Sequence, residues 1–219
     1  NKPLQVWSQG EGEDNRYWIP CYDYPNDMAT SEMYVTISSK YRTLSNCVLE
    51  SRKENSDGTS TWHWVSKKPY SSYLIMLGAG NWDEIADVWD GIPVSSYVPP
   101  GKKEWGERSY RQTGDILKFF SEYTGYKYPW GSYLQVAVED YIYGGMENTG
   151  AVVYFDGSIY DDKTEPDYRA TSLVAHEIAH QWLGDAVTCK NWNEIWLNES
   201  FATYFQCLYY EYLYGKDEF

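Results

Sequence analysis

Hydrophobic and polar positions change period twice along this chain. In the first hundred residues the apolar side chains alternate with polar ones, as in Met33, Val35 and Ile37 and again in Trp62 and Trp64, while YLIML at 73–77 is a short unbroken apolar run. A period of two predicts half-buried strands, and a short apolar run between turn signals predicts a buried one. Turn-forming stretches such as NSDGTS at 55–60 separate these runs, so residues 1 to about 98 are expected to form sheet. VPPGKKEWGE at 98–107 breaks the pattern. From about 104 to 124 the residues Ile116, Leu117, Phe120 and Tyr123 fall at helical spacing, with Gly125 placed as a C-terminal cap. LQVAVED at 133–139 and GAVVYF at 150–155 are strand candidates flanking a GGMEN turn. After Pro166 the helical period returns, through 171–183 with Gly184 as its stop, and again from about 193 to 213.

One of these helices carries chemistry. His176 and His180, two of the chain's three histidines, stand four positions apart with Glu177 directly after the first. On a helix, positions i and i+4 lie one turn apart on the same face, so both imidazoles can address one point. A catalytic zinc takes three protein ligands and keeps a fourth position for water, so a third ligand is expected on the next helix. NWNEIWLNESFATYF at 191–205 offers two acids, Glu199 and its competitor Glu194; 18 residues separate His180 from Glu199, enough for a loop and a returning helix. Trp196, Leu197, Phe201 and Phe205 are apolar at helical spacing, so this helix is expected to be mostly buried and its carboxylate to need a partner. Glu177 projects about 100° around the helix from His176, beside the open position, where it can take a proton from the attacking water. His63, between two tryptophans in a strand, is read as structural.

Composition narrows the partners. A net charge of −14 with no block of basic residues argues against nucleic acid. Cys21, Cys47, Cys189 and Cys207 show no CxxC spacing, so neither a thiolate zinc site nor a dense disulfide framework is implied. No apolar run approaches the roughly 20 residues of a membrane span. The 11 tryptophans and 23 tyrosines raise the thought of a sugar-binding face, but no repeat or local cluster supports one.

HEIAH at 176–180, the gap of 18, Glu199 within WLNES and GGMEN at 144–148 together resemble the zinc aminopeptidases that include aminopeptidase N and the leukotriene-hydrolysing aminopeptidase. SQGEGEDNRYWIPCYDYP at 8–25 is also similar to the end of that family's amino-terminal β-domain. The resemblance implies an α+β chain: the carboxyl-terminal part of the β-domain over residues 1–98, then the first half of a thermolysin-like mixed α/β peptidase domain over 99–219. It implies one zinc per chain, held by His176, His180 and Glu199, with Glu177 as general base. Glu147 would hold the free α-amine of a peptide substrate, Gly144, Gly145 and Met146 would run beside its backbone, and Glu11, with Gln9 nearby, would reach the same amine. Gly145 stands where aminopeptidase N-like members more often have alanine, and the leukotriene-hydrolase branch also uses glycine. A bifunctional epoxide hydrolase, a zinc endopeptidase and a metal-binding inactive segment are the alternatives. The family's oxyanion-donating tyrosine lies several tens of residues beyond the third ligand, and such donors are worth roughly 3 to 4 kcal/mol. The chain, which opens at Asn1 and closes at Phe219, is therefore expected to be a segment whose partner is the remainder of a larger enzyme.

Overall fold

The computed structural model describes residues 4–165 and 167–219. Residues 1–3 of the expected sheet region, and Pro166 at the expected start of the second helical region, lie outside the described residues. Eight strands come first: β1 (Val6–Trp7), β2 (Met28–Ser38), β3 (Arg42–Ser45), β4 (Val48–Glu54), β5 (Thr59–Ser71), β6 (Leu77–Gly80), β7 (Asp83–Trp89) and β8 (Ile92–Val98). Then follow α1 (Lys103–Ser109), α2 (Thr113–Thr124), β9 (Tyr133–Val138), β10 (Gly145–Met146), β11 (Ala151–Phe155), α3 (Thr171–His180) and α4 (Trp196–Tyr214). The chain is α+β, as its two periods predict.

Two antiparallel three-stranded sheets, in the orders β2-β5-β4 and β1-β6-β3, occupy the first part of the chain. The alternation in β5 is realised as buried Ser60, Trp62, Trp64 and Ser66, with both indole N–H groups satisfied: Trp62 Nε1 by Ser60 Oγ at 2.9 Å and Trp64 Nε1 by Thr43 Oγ1 at 3.0 Å. Residues 8–27, expected within the sheet region, hold a single 3-10 turn at Asn15–Tyr17 and no strand. The 73–77 run is likewise no strand until Leu77: Ser72–Leu74 is a 3-10 turn, and Tyr73, Leu74 and Met76 are fully buried. Asparagine side chains replace the ladder here. Asn15 Nδ2 donates to the carbonyls of Ser72 and Ile75 at 2.7 and 3.1 Å, while Asn46 donates to the Leu74 carbonyl and accepts from the Met76 N–H, each at 2.8 Å. Buried backbone must be paired by something, and two asparagines do it without a neighbouring strand.

A five-stranded mixed sheet, β10-β11-β9-β8-β7, carries the second half. β9 is parallel to both β8 and β11, whereas β7 and β10 join antiparallel at the two edges. All six residues of β9 are buried, as a central parallel strand covered on both faces requires. The parallel return from β8 to β9 needs a long crossover, and α1 and α2 supply it. The single helix expected over 104–124 is broken at Tyr110–Gln112, where Tyr110 turns its hydroxyl to Ser158 Oγ at 2.8 Å and its carbonyl accepts from the Thr113 N–H and hydroxyl. Hydrogen bonding in this sheet runs across residue 98, because β7 and β8 precede it and β9 follows it.

α2, α3 and α4 pack on one another through rings. Phe120, fully buried with Ile116 and Leu117, meets Trp182 with ring centroids 6.1 Å apart and Phe205 at 5.7 Å. Tyr123, the fourth member of the apolar set on this helix, is half exposed. On α4 the expectation of a buried Trp196, Leu197 and Phe201 is overturned: they are 53%, 37% and 41% exposed, and the inward stripe is Asn198, Ala202, Leu208 and Tyr209 with part-buried Phe205. The two stripes share the helical period but not the face, which spacing alone does not distinguish. Among the described residues no helix is long and apolar enough to cross a membrane. Replacing Phe120 by alanine should destabilise the fold by about 3 to 5 kcal/mol, because it empties the junction of three helices; denaturant unfolding monitored by tryptophan fluorescence measures it.

Candidate active site

α3 carries His176, Glu177 and His180, with the two histidines one turn apart, and α4 packs on α3 and brings Glu199 to them. The Nε2 atoms of His176 and His180 lie 3.1 Å apart, and Glu199 Oε2 is 3.3 Å from the first and 3.6 Å from the second. Tetrahedral zinc at its usual distances to nitrogen and oxygen separates neighbouring ligand atoms by about 3.3 Å, so this donor triangle fits a single zinc ion. Its orientation is fixed from behind. His180 Nδ1 faces the Leu183 carbonyl at 3.1 Å, and donating there leaves the Nε2 lone pair for a metal. Glu199 is the acid brought to the histidines; Glu194 sits on the 3-10 turn before α4 and accepts instead from Trp196 Nε1 at 2.8 Å. With its side chain 44% exposed, Glu199 has a partner despite not being deeply buried, contrary to the reasoning from an apolar helix.

Three more carboxylates share the cavity. One oxygen each from Glu147 and Glu177 lies within 4.8 Å of a His180 nitrogen and of the other, and Glu11, Glu147 and Glu199 form a second set of the same size. Burial pushes the Glu177 carboxyl well above its ordinary range; His180 opposes the shift, and Glu147, Glu199 and Glu11 reinforce it. Glu11 is pushed up to about 8, again by burial first and then by Glu147 and Glu199. Burial disfavours a charged His180, yet Glu147, Glu199 and Glu177 together push it up to about 10. For Glu199 burial acts upward, but hydrogen bonds and charge from His176 and His180 hold the carboxyl below its usual range. Positive charge among these groups would relieve the repulsion that these shifts reflect.

The GGMEN segment forms the rim. Gly145 and Met146 are β10, paired with Tyr154 and Val153, and Gly144 accepts from the Phe155 N–H at 3.2 Å. β10 ends the sheet order, so its outer edge has no strand partner among the described residues. Gly145 packs directly on the general-base candidate: a Cβ there would run into the Glu177 carboxylate, so any larger residue at this position would require that carboxyl to sit further back. Gln9 reaches Met146, with Nε2 3.2 Å from Sδ, and accepts from the Tyr141 hydroxyl. His63 is remote, stacked on Tyr34 at 4.0 Å and 3.2 Å from Glu32.

Three residues that sequence patterns did not single out hold this arrangement. Tyr73, fully buried, donates to Glu147 Oε1 at 3.4 Å and accepts from Asn198 Nδ2 at 3.1 Å, which links the amino-terminal region to the residue beside Glu199. Asn198 in turn accepts from the Cys189 N–H at 3.0 Å. Gln181, next after His180, donates to the Glu147 carbonyl. Their only sequence signal is adjacency to motif residues, in the case of Asn198 and Gln181.

Comparison with known proteins identifies the family. Residues 108–219 match the model of the peptidase family M1 domain, and residues 1–74 match that of the peptidase M1 N-terminal domain. The chain is 32% identical over 203 residues to glutamyl aminopeptidase of Bos taurus, covering 90% of this chain and 21% of that protein. It is 32% identical over 202 residues to leucyl aminopeptidase of Saccharolobus solfataricus, covering 91% and 26%. Human glutamyl aminopeptidase is also 32% identical, over 208 residues. The chain thus spans between a fifth and about a quarter of the length of these relatives. On the strength of the matched domain, which extends over more than half of its residues, this chain belongs to peptidase family M1, a family of metallopeptidases.

Proposed function

We propose that the chain forms the metal- and amine-binding part of a zinc-dependent aminopeptidase that removes the first residue of peptides. The observation that carries this reading is the crowding of Glu147 and Glu11 against the same donor set as His180 and Glu199. Carboxylates so close to a metal site compete for cations, and a peptide's protonated amino terminus is the cation that a peptidase substrate brings. Their fixed distance from the metal limits how far the scissile bond can lie from that terminus. In this reading residues 83–98 belong with the catalytic unit, since β7 and β8 share its sheet.

His176, His180 and Glu199 would hold the zinc. Bound there, zinc supplies Lewis acidity, lowering the pKa of its water to about 7 and polarising the scissile carbonyl. Glu177 accepts the proton of the attacking water on a carboxyl oxygen and delivers it to the leaving nitrogen, a task suited to a carboxyl whose pKa burial has raised. Glu147 and Glu11 bind the α-ammonium. The free edge of β10 aligns the substrate backbone, and the absence of a side chain at Gly144 and Gly145 lets it come close.

Three measurements on the complete polypeptide that contains this chain test the reading. Glu177→Gln should lower kcat by about 10²- to 10⁴-fold while metal content stays unchanged. Glu147→Ala should raise KM for aminoacyl substrates by about 10- to 100-fold, and acetylating the substrate amine should abolish turnover; normal cleavage of acetylated peptides would overturn the amine-anchoring role. Before metal binds, His180 is protonated below about pH 10, and zinc takes the neutral imidazole. Zinc uptake at pH 7 should therefore release at least one proton, with Glu11 and Glu177 adding to the count, and affinity should fall as pH is lowered; calorimetry in buffers of different ionisation enthalpy reads the proton count.

A further inference from the structure

We infer that Gln181 is the positioning residue that sets the spacing between the amine-binding carboxylate and the metal ligands, a role that rests on the aminopeptidase reading above. Its side chain is fully buried at the end of α3, immediately after His180. Nε2 donates to the carbonyl of Glu147 at 2.9 Å, and Oε1 accepts from the N–H of Gly150 at 2.9 Å and from the Tyr128 hydroxyl at 3.4 Å. One amide thus grips both ends of the 147–150 segment.

That segment needs such a grip. Strand pairing stops at Met146 on one side and resumes at Ala151 on the other, so Glu147 to Gly150 cross from β10 to β11 outside the ladder. The other anchors are the Tyr73 hydroxyl, which donates to the Glu147 carboxylate at 3.4 Å, Asn46 Nδ2, which donates to the Thr149 carbonyl at 2.9 Å, and the Leu134 N–H, which donates to the Gly150 carbonyl at 2.9 Å. None of these ties Glu147 to α3. Gln181 does, and its own backbone is fixed, with its carbonyl accepting from Trp130 Nε1 at 3.1 Å and its N–H donating to Ile178. Glu147 and His180 are therefore coupled through a single rigid amide and one peptide step.

The demand on residue type is strict. Only a side chain that donates at one end and accepts at the other meets both backbone groups. Glutamate keeps the acceptor for Gly150 but sets an oxygen against the Glu147 carbonyl. Methionine fills similar volume and makes neither bond.

The test compares wild-type, Gln181→Met and Gln181→Glu in the complete polypeptide, each also in a Glu147→Ala background. Aminoacyl-substrate kinetics, metal content and inhibition by acetohydroxamate, a metal-binding probe with no amine, are measured for each. Gln181→Met should raise KM about tenfold, as loss of two buried hydrogen bonds near the amine anchor would. It should leave metal content and the acetohydroxamate inhibition constant within about twofold of wild type, because the ligands themselves do not move. In the Glu147→Ala background it should add nothing, the non-additivity expected of groups acting through one another. Gln181→Glu should raise KM to a similar or greater extent. Equal losses of acetohydroxamate and substrate binding, additive effects with Glu147→Ala, or failure of both variants to fold would overturn the proposal, since each makes Gln181 a general support of the fold. An active wild type with unchanged KM in the variants would do so too. A wild type without aminopeptidase activity would instead overturn the underlying functional reading.

Discussion

Four carboxylates, Glu11, Glu147, Glu177 and Glu199, converge with two imidazoles in one partly buried cluster, and their mutual repulsion is relieved by protons or by a bound cation. Like charges a few ångströms apart in a poorly hydrated site raise each other's pKa values, and here Glu177, Glu11 and His180 are all pushed toward their protonated forms. A divalent metal and an ammonium group are the two cations that peptide chemistry can offer in their stead. The same repulsion is what would favour the binding of a cation there. The surrounding structure serves to stop these groups from relaxing apart: Tyr73 and Gln181 pin Glu147, Leu183 pins His180, and the α3–α4 packing pins Glu199.

The cluster of His176, His180 and Glu199 was legible in the sequence because helical geometry is short-ranged and regular. Four positions along α3 fix the relation of His176 to His180 whatever the rest of the chain does, and a gap of 18 suffices for α4 to return. The buried β9 and the Gly125 cap, whose φ is +69°, were legible for the same local reason. What escaped was whatever depends on a side chain meeting distant backbone. Asn15 and Asn46 turn the apolar 73–77 run into a 3-10 turn, and nothing in the run itself announces that two remote asparagines will satisfy its carbonyls. Tyr110 breaks a helix whose apolar period is otherwise continuous.

The faces of α4 show a different limit. Trp196, Leu197 and Phe201 repeat with the period that predicts burial, and so do Asn198, Ala202 and Tyr209; periodicity identifies a helix and not which of its stripes is turned inward. Polar Asn198 wins the interior because it has three partners there, the Tyr73 hydroxyl, the Thr188 hydroxyl and the Cys189 N–H. Satisfied hydrogen bonds can outweigh hydrophobicity at a single position when the alternative is a set of orphaned polar atoms.

The sheet that crosses residue 98 has a mechanical meaning. β8 enters the catalytic sheet as an interior strand between β7 and β9, while the chain immediately before β7 belongs, through β6, to a different sheet. Pulling the amino-terminal part away would strip hydrogen bonds from β9, the strand at the centre of the five-stranded sheet, and Asn46 would tear at Thr149 as well. Cleavage of the turn after Val98 would therefore cut the polypeptide without separating its halves. The two sequence domains are expected to melt as one cooperative body, so that a lesion in the tryptophan-rich amino-terminal sheet is felt as a loss of order around His176, His180 and Glu199.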